Sequence, residues 1–234
     1  PASHVLELSP LQGDEQGPGA EIYKYMVEMY KEIGIRFIGE TTGSIGATAS
    51  GNFYVFTNKQ VSKVGDLTGQ KMRISPMAVE FSKATGIQAI TLPLGDIYLA
   101  MERGTIDGYI MPIWAGFNEL GLPKVTKYGI DHPIYRGNVG FTMNLKSWER
   151  LPEKSQKLLL EVMSDTINWT RGFLDGMDKS QKDRAKAAKV EFIKLPDAEA
   201  KRFVKISEDS LWGYFKEKLT PERYKKLRQL LKYE

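Results

Sequence analysis

The segment from residue 65 to residue 112 alternates short strand patterns with short helical patterns, and it constrains the fold more than any other part of the chain. Its strand patterns occupy residues 71–75, 88–94 and 106–111, and its helical patterns occupy residues 78–84 and 96–103. Each pattern ends near a glycine or proline, the residues that most often stop helices and strands. Strands and helices that alternate with short connections predict an open α/β sheet.

Arg73 lies on the first strand of this segment, and it is the first residue that we expect to bind a ligand. An arginine is always charged, and its planar guanidinium can donate two parallel hydrogen bonds to the two oxygens of a carboxylate. A position on a strand would hold the guanidinium more rigidly than a position on a loop. From the residues alone, an ion pair at the surface or between two lobes is the simpler explanation for Arg73.

The composition narrows the class of protein. With 234 residues, of which 41% are apolar and 26% charged, the chain can bury a large core in one or two domains. The net charge of +4 comes from basic residues spread among acidic ones, so it favours anionic ligands only weakly and predicts no nucleic-acid partner. The absence of cysteine excludes disulfides, thiol catalysis and cysteine metal sites. No apolar run approaches the roughly 20 residues of a membrane span.

The sequence offers little to an enzyme. His4 and His132 are the only histidines, and neither belongs to a metal-binding motif. The glycine loop at residues 43–46 lacks the lysine of a phosphate loop, and no dinucleotide-binding motif follows a strand. We therefore expect a protein that is not an enzyme and that needs no cofactor or metal. The alternative is a small-molecule hydrolase that uses Asp131 and His132, which would require a nucleophile beside His132 in the fold.

The rest of the chain adds further helices and strands. Helical patterns occupy residues 20–33 and 153 to about 190, and others begin at residues 196 and 221. The long pattern has an apolar face made of Leu158, Leu159, Val162, Ile167, Trp169, Phe173, Leu174 and Met177. Strand patterns occupy residues 35–40, 53–57, 135–144 and 192–195. Trp114 and Phe117 follow the last strand of the 65–112 segment, where aromatic rings can supply contact area for a ligand. Ordinary packing is the alternative for both rings.

The spacing of residues in the 65–112 segment resembles the core of the substrate-binding proteins of TRAP transporters, the DctP-like family. The residues that carry the resemblance are Asp66, Leu67, Gly69, Lys71, Arg73, Gly86, Leu92, Pro93, Asp96, Tyr98, Ala100, Met101, Gly104, Asp107 and Gly108. It continues through residues 144–152 and the long helix that follows. The resemblance implies an α/β fold like that of periplasmic binding proteins, with two lobes, crossing strands and a long helix that spans the back.

The same resemblance implies how the chain is divided. Residues 1–57 would form part of lobe I with the first crossing strand, and residues 58–135 the core of lobe II that carries Arg73. Residues 136–152 would form the second crossing strand and the return, and residues 153–195 the long spanning helix and a strand. Residues 196–234 would form C-terminal helices that pack on the lobes. Members usually begin with a β-α-β-α-β run that is missing before residue 65, so we expect a chain without the family's N-terminal third.

Seven residues are the ligand-binding candidates that the resemblance implies. The family's carboxylate-binding arginine corresponds to Arg73, and the others are expected around it: Phe53, Tyr54, Met111, Trp114, Phe117 and Asn138. Sialic-acid-binding members have an arginine in place of Phe53 and an asparagine in place of Met111. This chain is more apolar there, which predicts a less polar organic acid, such as an aliphatic or aromatic carboxylate or a 2-oxo acid.

The function implied by the resemblance is capture of a small organic acid in the periplasm, between two lobes, and its delivery to a TRAP membrane permease. The first eight residues lack the pattern of a signal peptide, so we expect a mature or trimmed form of an exported protein. A ligand-sensing domain of the same fold without a transport role is the alternative. A homodimer is a further alternative, because an incomplete sheet would expose an edge strand that can pair with a second copy.

Overall fold

The computed structural model describes residues 20 to 41, 52 to 137 and 139 to 231. The helices are α1 (Ala20–Lys31), α2 (Val79–Thr85), α3 (Ile97–Glu102), α4 (Leu145–Glu149), α5 (Glu153–Ala187), α6 (Asp197–Lys218) and α7 (Pro221–Leu230). The strands are β1 (Ile35–Thr41), β2 (Asn52–Thr57), β3 (Lys71–Arg73), β4 (Gln88–Ile90), β5 (Gly108–Pro112), β6 (Tyr128–Ile130), β7 (Tyr135–Arg136), β8 (Val139–Asn144) and β9 (Glu191–Ile193). The alternation of strand and helix predicted for residues 65 to 112 is present.

The predicted strand at residues 135–144 was wrong in its extent. The pattern at residues 135–144 forms two strands, of which β7 pairs with β2 and β8 pairs with β1 in another sheet. Alternating hydrophobicity is a local pattern, and it does not identify the neighbour to which each half of the pattern is hydrogen-bonded. Asn138, a predicted ligand residue, lies outside the described residues.

The chain forms two compact units. Unit 1 comprises Pro1–Gly51, Arg136–Gly176 and Phe215–Glu234, and unit 2 comprises Asn52–Tyr135 and Met177–Tyr214. Because helices α5 and α6 each contain a boundary, both contribute residues to each unit. The five-part division expected from the sequence remains a prediction.

Unit 1 contains a two-stranded antiparallel sheet of β1 and β8, with Ile35 opposite Asn144. Helix α1 covers β1 through the buried side chains of Tyr23, Met26 and Phe37. The long helix differs from the sequence-based expectation, because four side chains assigned to its apolar face are exposed. These are Leu158, Val162, Trp169 and Phe173.

Unit 2 is built on a sheet with the strand order β4-β3-β5-β2-β6-β9, and β7 also pairs with β2. Strand β3 is parallel to β4 and β5, and β6 is parallel to β9. Strand β2 is antiparallel to both β5 and β6. The carboxyl ends of β3, β4, β5 and β6 therefore lie at one edge of the sheet, together with the first residues of β2.

The core on one face of this sheet fixes the positions of its strands. Phe56 is fully buried, and its ring centroid lies 4.6 Å from that of Phe117 and 5.3 Å from that of Tyr109. Burial of one such ring contributes about 1.5 to 3 kcal/mol. Ile97 and Met101 of α3 belong to the same cluster, so the helix that follows β4 packs on the centre of the sheet.

The carboxylate of Asp107 joins the beginnings of β3 and β5. Its Oδ2 accepts a hydrogen bond of 2.9 Å from the backbone N–H of Lys71, and its Oδ1 lies 3.0 Å from Nζ of Lys59. The backbone N–H of Asp107 donates in return to the carbonyl of Lys71 at 2.7 Å. Burial raises the pKa of Asp107, but the bonds from Lys71 and Lys59 lower it by more than burial raises it. The pKa therefore lies below its usual value.

We expect Asp107→Asn to reduce the free energy of unfolding by about 1 to 2 kcal/mol at pH 7, since it removes hydrogen bonds to a charged group. A carboxyl whose pKa is lower in the folded state stabilises the protein above its unfolded pKa of about 3.9, and this contribution is lost as the pH falls through the folded pKa. Urea unfolding of both proteins between pH 7 and pH 3 measures the difference, which should narrow below about pH 4.

Asp183→Asn is the matched control for Asp107→Asn. Among the described residues, the carboxylate of Asp183 pairs only with Lys179, at 3.0 Å on the exposed side of α5. We expect it to change the free energy of unfolding by less than about 0.5 kcal/mol. A difference between wild type and Asp107→Asn that stays constant down to pH 3 would contradict the role of the Asp107 carboxylate.

Candidate functional site

The candidate site lies at the edge of unit 2 where the carboxyl ends of the parallel strands meet. In open α/β sheets, ligands bind outside the carboxyl ends of the strands. Arg73 is the last residue of β3, Trp114 lies two residues beyond the end of β5, and Phe53 is the second residue of β2. The topology thus places three of the residues predicted from the sequence at one edge.

The guanidinium of Arg73 is held by the backbone of two neighbouring strands. Its Nε donates to the carbonyl of Leu92 and its Nη1 to the carbonyl of Ile110, both at 3.2 Å. The remaining guanidinium N–H groups have no hydrogen-bond partner among the residues that the structure describes. An arginine has five such donors, so the side chain is oriented by some of them and can offer the others to an anion.

The charge of Arg73 is partly removed from solvent. Its side chain is half-buried, and this desolvation lowers the pKa of the guanidinium, while the neighbouring Tyr135 acts in the opposite direction. Arginine nevertheless stays protonated in proteins. A fixed cation in a partly desolvated place attracts a carboxylate more strongly than one in open water, because the surrounding dielectric constant is lower.

Sequence reasoning missed two hydroxyl groups in this region, those of Tyr135, which acts electrostatically on Arg73, and of Ser75, two residues further along the chain. The Oγ of Ser75 and the hydroxyl of Tyr135 are in hydrogen-bond contact, and the ring of Tyr135 stacks on that of Phe53 with centroids 4.4 Å apart. The backbone N–H of Ile134 donates to the carbonyl of Phe53 at 2.9 Å, which fixes the stack. The sequence holds no local signal for this contact, because its partners are 60 residues apart.

Trp114 supplies a second N–H donor at the same edge of the sheet. Its side chain is half-buried, and its indole Nε1 is buried without a hydrogen-bond partner among the described residues. A buried donor that lacks a partner costs about 1 to 3 kcal/mol, so such groups call for an explanation. A ligand that accepts this hydrogen bond would provide one.

Three other predicted site residues lie in the core of unit 2. Met111 and Phe117 are fully buried and Tyr54 is 2% exposed, all within one cluster. The hydroxyl of Tyr54 accepts a hydrogen bond of 3.0 Å from Nζ of Lys182. These contacts give the three side chains packing roles, and a ligand contact for any of them remains a prediction.

Asp131 and His132 bond to different partners. The Nε2 of His132 accepts a hydrogen bond of 3.2 Å from the backbone N–H of Leu195, and Oδ1 of Asp131 lies 3.1 Å from Nζ of Lys182. Within the described ranges, no serine or threonine hydroxyl bonds to His132.

The described part of the chain contains no group of three or more acidic or histidine side chains arranged to hold a metal ion. It also contains no helix of the length and apolar character needed to cross a membrane.

Comparison with known proteins identifies the family. The family described as "Bacterial extracellular solute-binding protein, family 7", DctP, matches residues 39–218. A protein of Nostoc sp. named as a monocarboxylate 2-oxoacid-binding periplasmic protein is 34% identical over 125 residues, which are 50% of this chain and 31% of that protein. The ectoine-binding periplasmic protein TeaA of Halomonas elongata is 25% identical over 163 residues, 65% of this chain and 46% of that protein.

Solved structures show the same fold. A TRAP periplasmic solute-binding protein from Desulfovibrio salexigens with bound orotic acid superposes with a TM-score of 0.78 at 21% identity, and the match covers 93% of this chain and 67% of that one. The chain thus spans about a third to a half of the length of the curated relatives it matches, and about two thirds of this structure. The α/β fold of periplasmic binding proteins expected from the sequence is confirmed, and the chain belongs to the DctP family of bacterial extracellular solute-binding proteins.

Proposed function

We propose that this protein binds a small organic acid through Arg73 as the solute-binding component of a TRAP-type transporter. It works in the periplasm and delivers the acid to the membrane permease. The observation that carries the proposal is the guanidinium of Arg73. Two backbone carbonyls at the carboxyl edge of the sheet orient it, and its remaining N–H groups can donate to a ligand. Such an arrangement captures a carboxylate and performs no covalent chemistry.

The surroundings of Arg73 favour a small and weakly polar acid. The stacked rings of Phe53 and Tyr135 offer an apolar surface, and the indole N–H of Trp114 offers one further donor. An acid with many hydroxyl groups would leave several of them without partners on such a surface, which reduces its affinity. This supports an aliphatic or aromatic carboxylate or a 2-oxo acid.

The relatives support the same class of ligand. The Nostoc relative is named for binding monocarboxylate 2-oxo acids. Three solved structures with the same fold contain bound orotic acid, malonate or succinate, each of which carries a carboxylate, and a fourth contains sn-glycerol-3-phosphate, an anion without one. Among these, a 2-oxo monocarboxylate is our first candidate, because the relative named for it shares the highest sequence identity of the proteins compared above.

Thermal-shift and calorimetric measurements with purified protein test the proposed function. We would compare 2-oxobutanoate, butanoate and benzoate with a sugar acid such as gluconate. A ligand at 100 times its Kd stabilises the folded state by about 2.7 kcal/mol, which raises the melting temperature visibly. Binding of the simple carboxylates supports the proposal. Tighter binding of gluconate would contradict the ligand class, and no binding of any acid would contradict carboxylate binding by this chain.

His132→Ala separates the binding protein from the hydrolase alternative. We expect the Kd for a bound carboxylate to change less than twofold, because His132 takes no part in the proposed site and contacts the backbone of Leu195. Loss of that hydrogen bond should cost about 1 kcal/mol of folding free energy. Calorimetric titration and thermal unfolding measure the two quantities. A large loss of ligand binding or turnover in His132→Ala would favour the hydrolase.

A further inference from the structure

The hydroxyl pair of Ser75 and Tyr135 occupies a position that the proposed function has not used. Ser75 continues the extended backbone of β3, with φ −85° and ψ 160°. Side chains two residues apart on an extended strand point to the same side, separated by about 6.6 Å along the chain. The hydroxyl of Ser75 therefore lies on the same side of the strand as the guanidinium of Arg73.

Ser75 is placed where a serine usually caps a helix, but its side chain does something else. It precedes the short helical turn at Pro76–Ala78, and its side chain makes no capping hydrogen bond. A serine at this position normally accepts a hydrogen bond from the backbone of the first turn. Here the hydroxyl contacts Tyr135 instead, which indicates that its orientation is set by Tyr135 and not by the helix.

The acidities of the two hydroxyls indicate the direction of their hydrogen bond. A phenol, with a pKa of about 10, is a stronger donor than the aliphatic hydroxyl of serine. Either hydroxyl can be the donor in this contact, and the acidity of the phenol favours donation from Tyr135 to Oγ of Ser75. In that arrangement the hydroxyl hydrogen of Ser75 is available for another acceptor. Donation from Tyr135 also polarises the serine hydroxyl and strengthens the bond that it makes. Tyr135 is buried and stacked on Phe53, whereas Ser75 is half-buried and keeps some contact with solvent.

We propose that Ser75 is a specificity-determining residue that donates a hydrogen bond to an oxygen on the carbon next to the carboxylate of the ligand, and that Tyr135 positions it. The inference rests on the proposed function, because the carboxylate itself must be bound by Arg73. The site then selects 2-oxo acids, or acids with an equivalent oxygen, over acids that lack that oxygen. A binding site that presents a polar donor rejects the analogue without its partner, since the donor is left unpaired.

Paired ligands and conservative variants test this inference. We would measure Kd by calorimetry for 2-oxobutanoate and butanoate, which differ in the single oxo group, with wild type, Ser75→Ala and Tyr135→Phe. Ser75→Ala should weaken 2-oxobutanoate about tenfold and butanoate less than twofold, as expected for the loss of one hydrogen bond. Tyr135→Phe keeps the ring on Phe53 and removes the hydroxyl, so the preference for the oxo acid should fall about threefold.

Matched controls are available in the same unit. Ser210→Ala on α6 and Tyr128→Phe on β6 make the same chemical changes away from the carboxyl edge of the sheet, and they should leave the ratio of the two Kd values unchanged. If Ser75→Ala weakens both acids by the same factor, Ser75 has a merely structural role and the inference is overturned. If Ser75→Ala changes neither Kd, the inference is overturned as well, while carboxylate binding by Arg73 stands. Failure of wild type to bind either acid would overturn the proposed function and, with it, this inference.

Discussion

Replacing Arg73 with lysine is expected to weaken the binding of 2-oxobutanoate at least about 100-fold, which corresponds to about 2.7 kcal/mol. Lysine keeps the positive charge but not the planar fork that donates two parallel hydrogen bonds. Lysine has one side-chain nitrogen, so it cannot reproduce the two bonds from Nε and Nη1 that orient the guanidinium against the carbonyls of Leu92 and Ile110. The ammonium of the lysine would be a mobile point charge. The positive charge is kept, but the fixed orientation of the hydrogen-bond donors toward the carboxylate is lost.

Calorimetric titration measures this loss, and Arg103→Lys is its matched control. Arg103 is exposed at the end of α3 in the same unit, away from the site. We expect Arg103→Lys to bind 2-oxobutanoate as wild type does, and both variants to keep the wild-type circular dichroism spectrum. If Arg73→Lys binds within threefold of wild type while it is folded, Arg73 does not anchor the carboxylate, and the proposed site must lie elsewhere.

The fold of unit 2 could be predicted because its information is local. The helices and strands between residues 65 and 112 are short, and each ends near a glycine or proline that stops it. Prediction failed where the outcome depends on distant partners. The 135–144 pattern is continuous in sequence, but its two halves bond to β2 and β1, which precede it by many residues. The exposed apolar side chains of α5 had no local signal either, since an apolar face does not show whether another part of the chain covers it.

The candidate site could be predicted only in part. The strand pattern predicted the position of Arg73, and the resemblance implied its ligand role, which remains a prediction. The topology places Arg73 at the carboxyl edge of the sheet, where open α/β sheets bind ligands. Tyr54 and Met111 stand opposite each other in the β2–β5 pair, and their shared face is covered by the core. The sequence could not reveal this, because both faces of these two strands are largely apolar, as expected for buried strands. The contact of Ser75 with Tyr135 depends on the complete sheet, which no local pattern encodes.

Gly108→Ala is expected to destabilise unit 2 by about 3 kcal/mol, the upper range for steric overpacking of a well-packed region. A Cβ at this position would lie 2.3 Å from the backbone carbonyl oxygen of Phe56 and 3.1 Å from Cα of Thr57. Both atoms belong to the backbone of β2, which is hydrogen-bonded to β5. They therefore cannot move aside as the end of a flexible side chain could. The glycine of the Asp107-Gly108 motif is thus required for the close approach of two strand backbones.

Gly108→Ala should also change the geometry of the proposed ligand site. Strand β5 places Ile110, whose carbonyl holds the guanidinium of Arg73, and it leads to Trp114. A shift of β5 away from β2 moves both groups, so the variant should bind 2-oxobutanoate more weakly even where it remains folded. Gly65→Ala is the matched control, since a Cβ there meets no atom within 4 Å. Urea unfolding and calorimetry of both variants measure the effect. Equal stability of the two variants would show that β2 and β5 can move apart without loss of folding free energy. The argument that a rigid β2–β5 pair fixes the position of Arg73 would then be wrong.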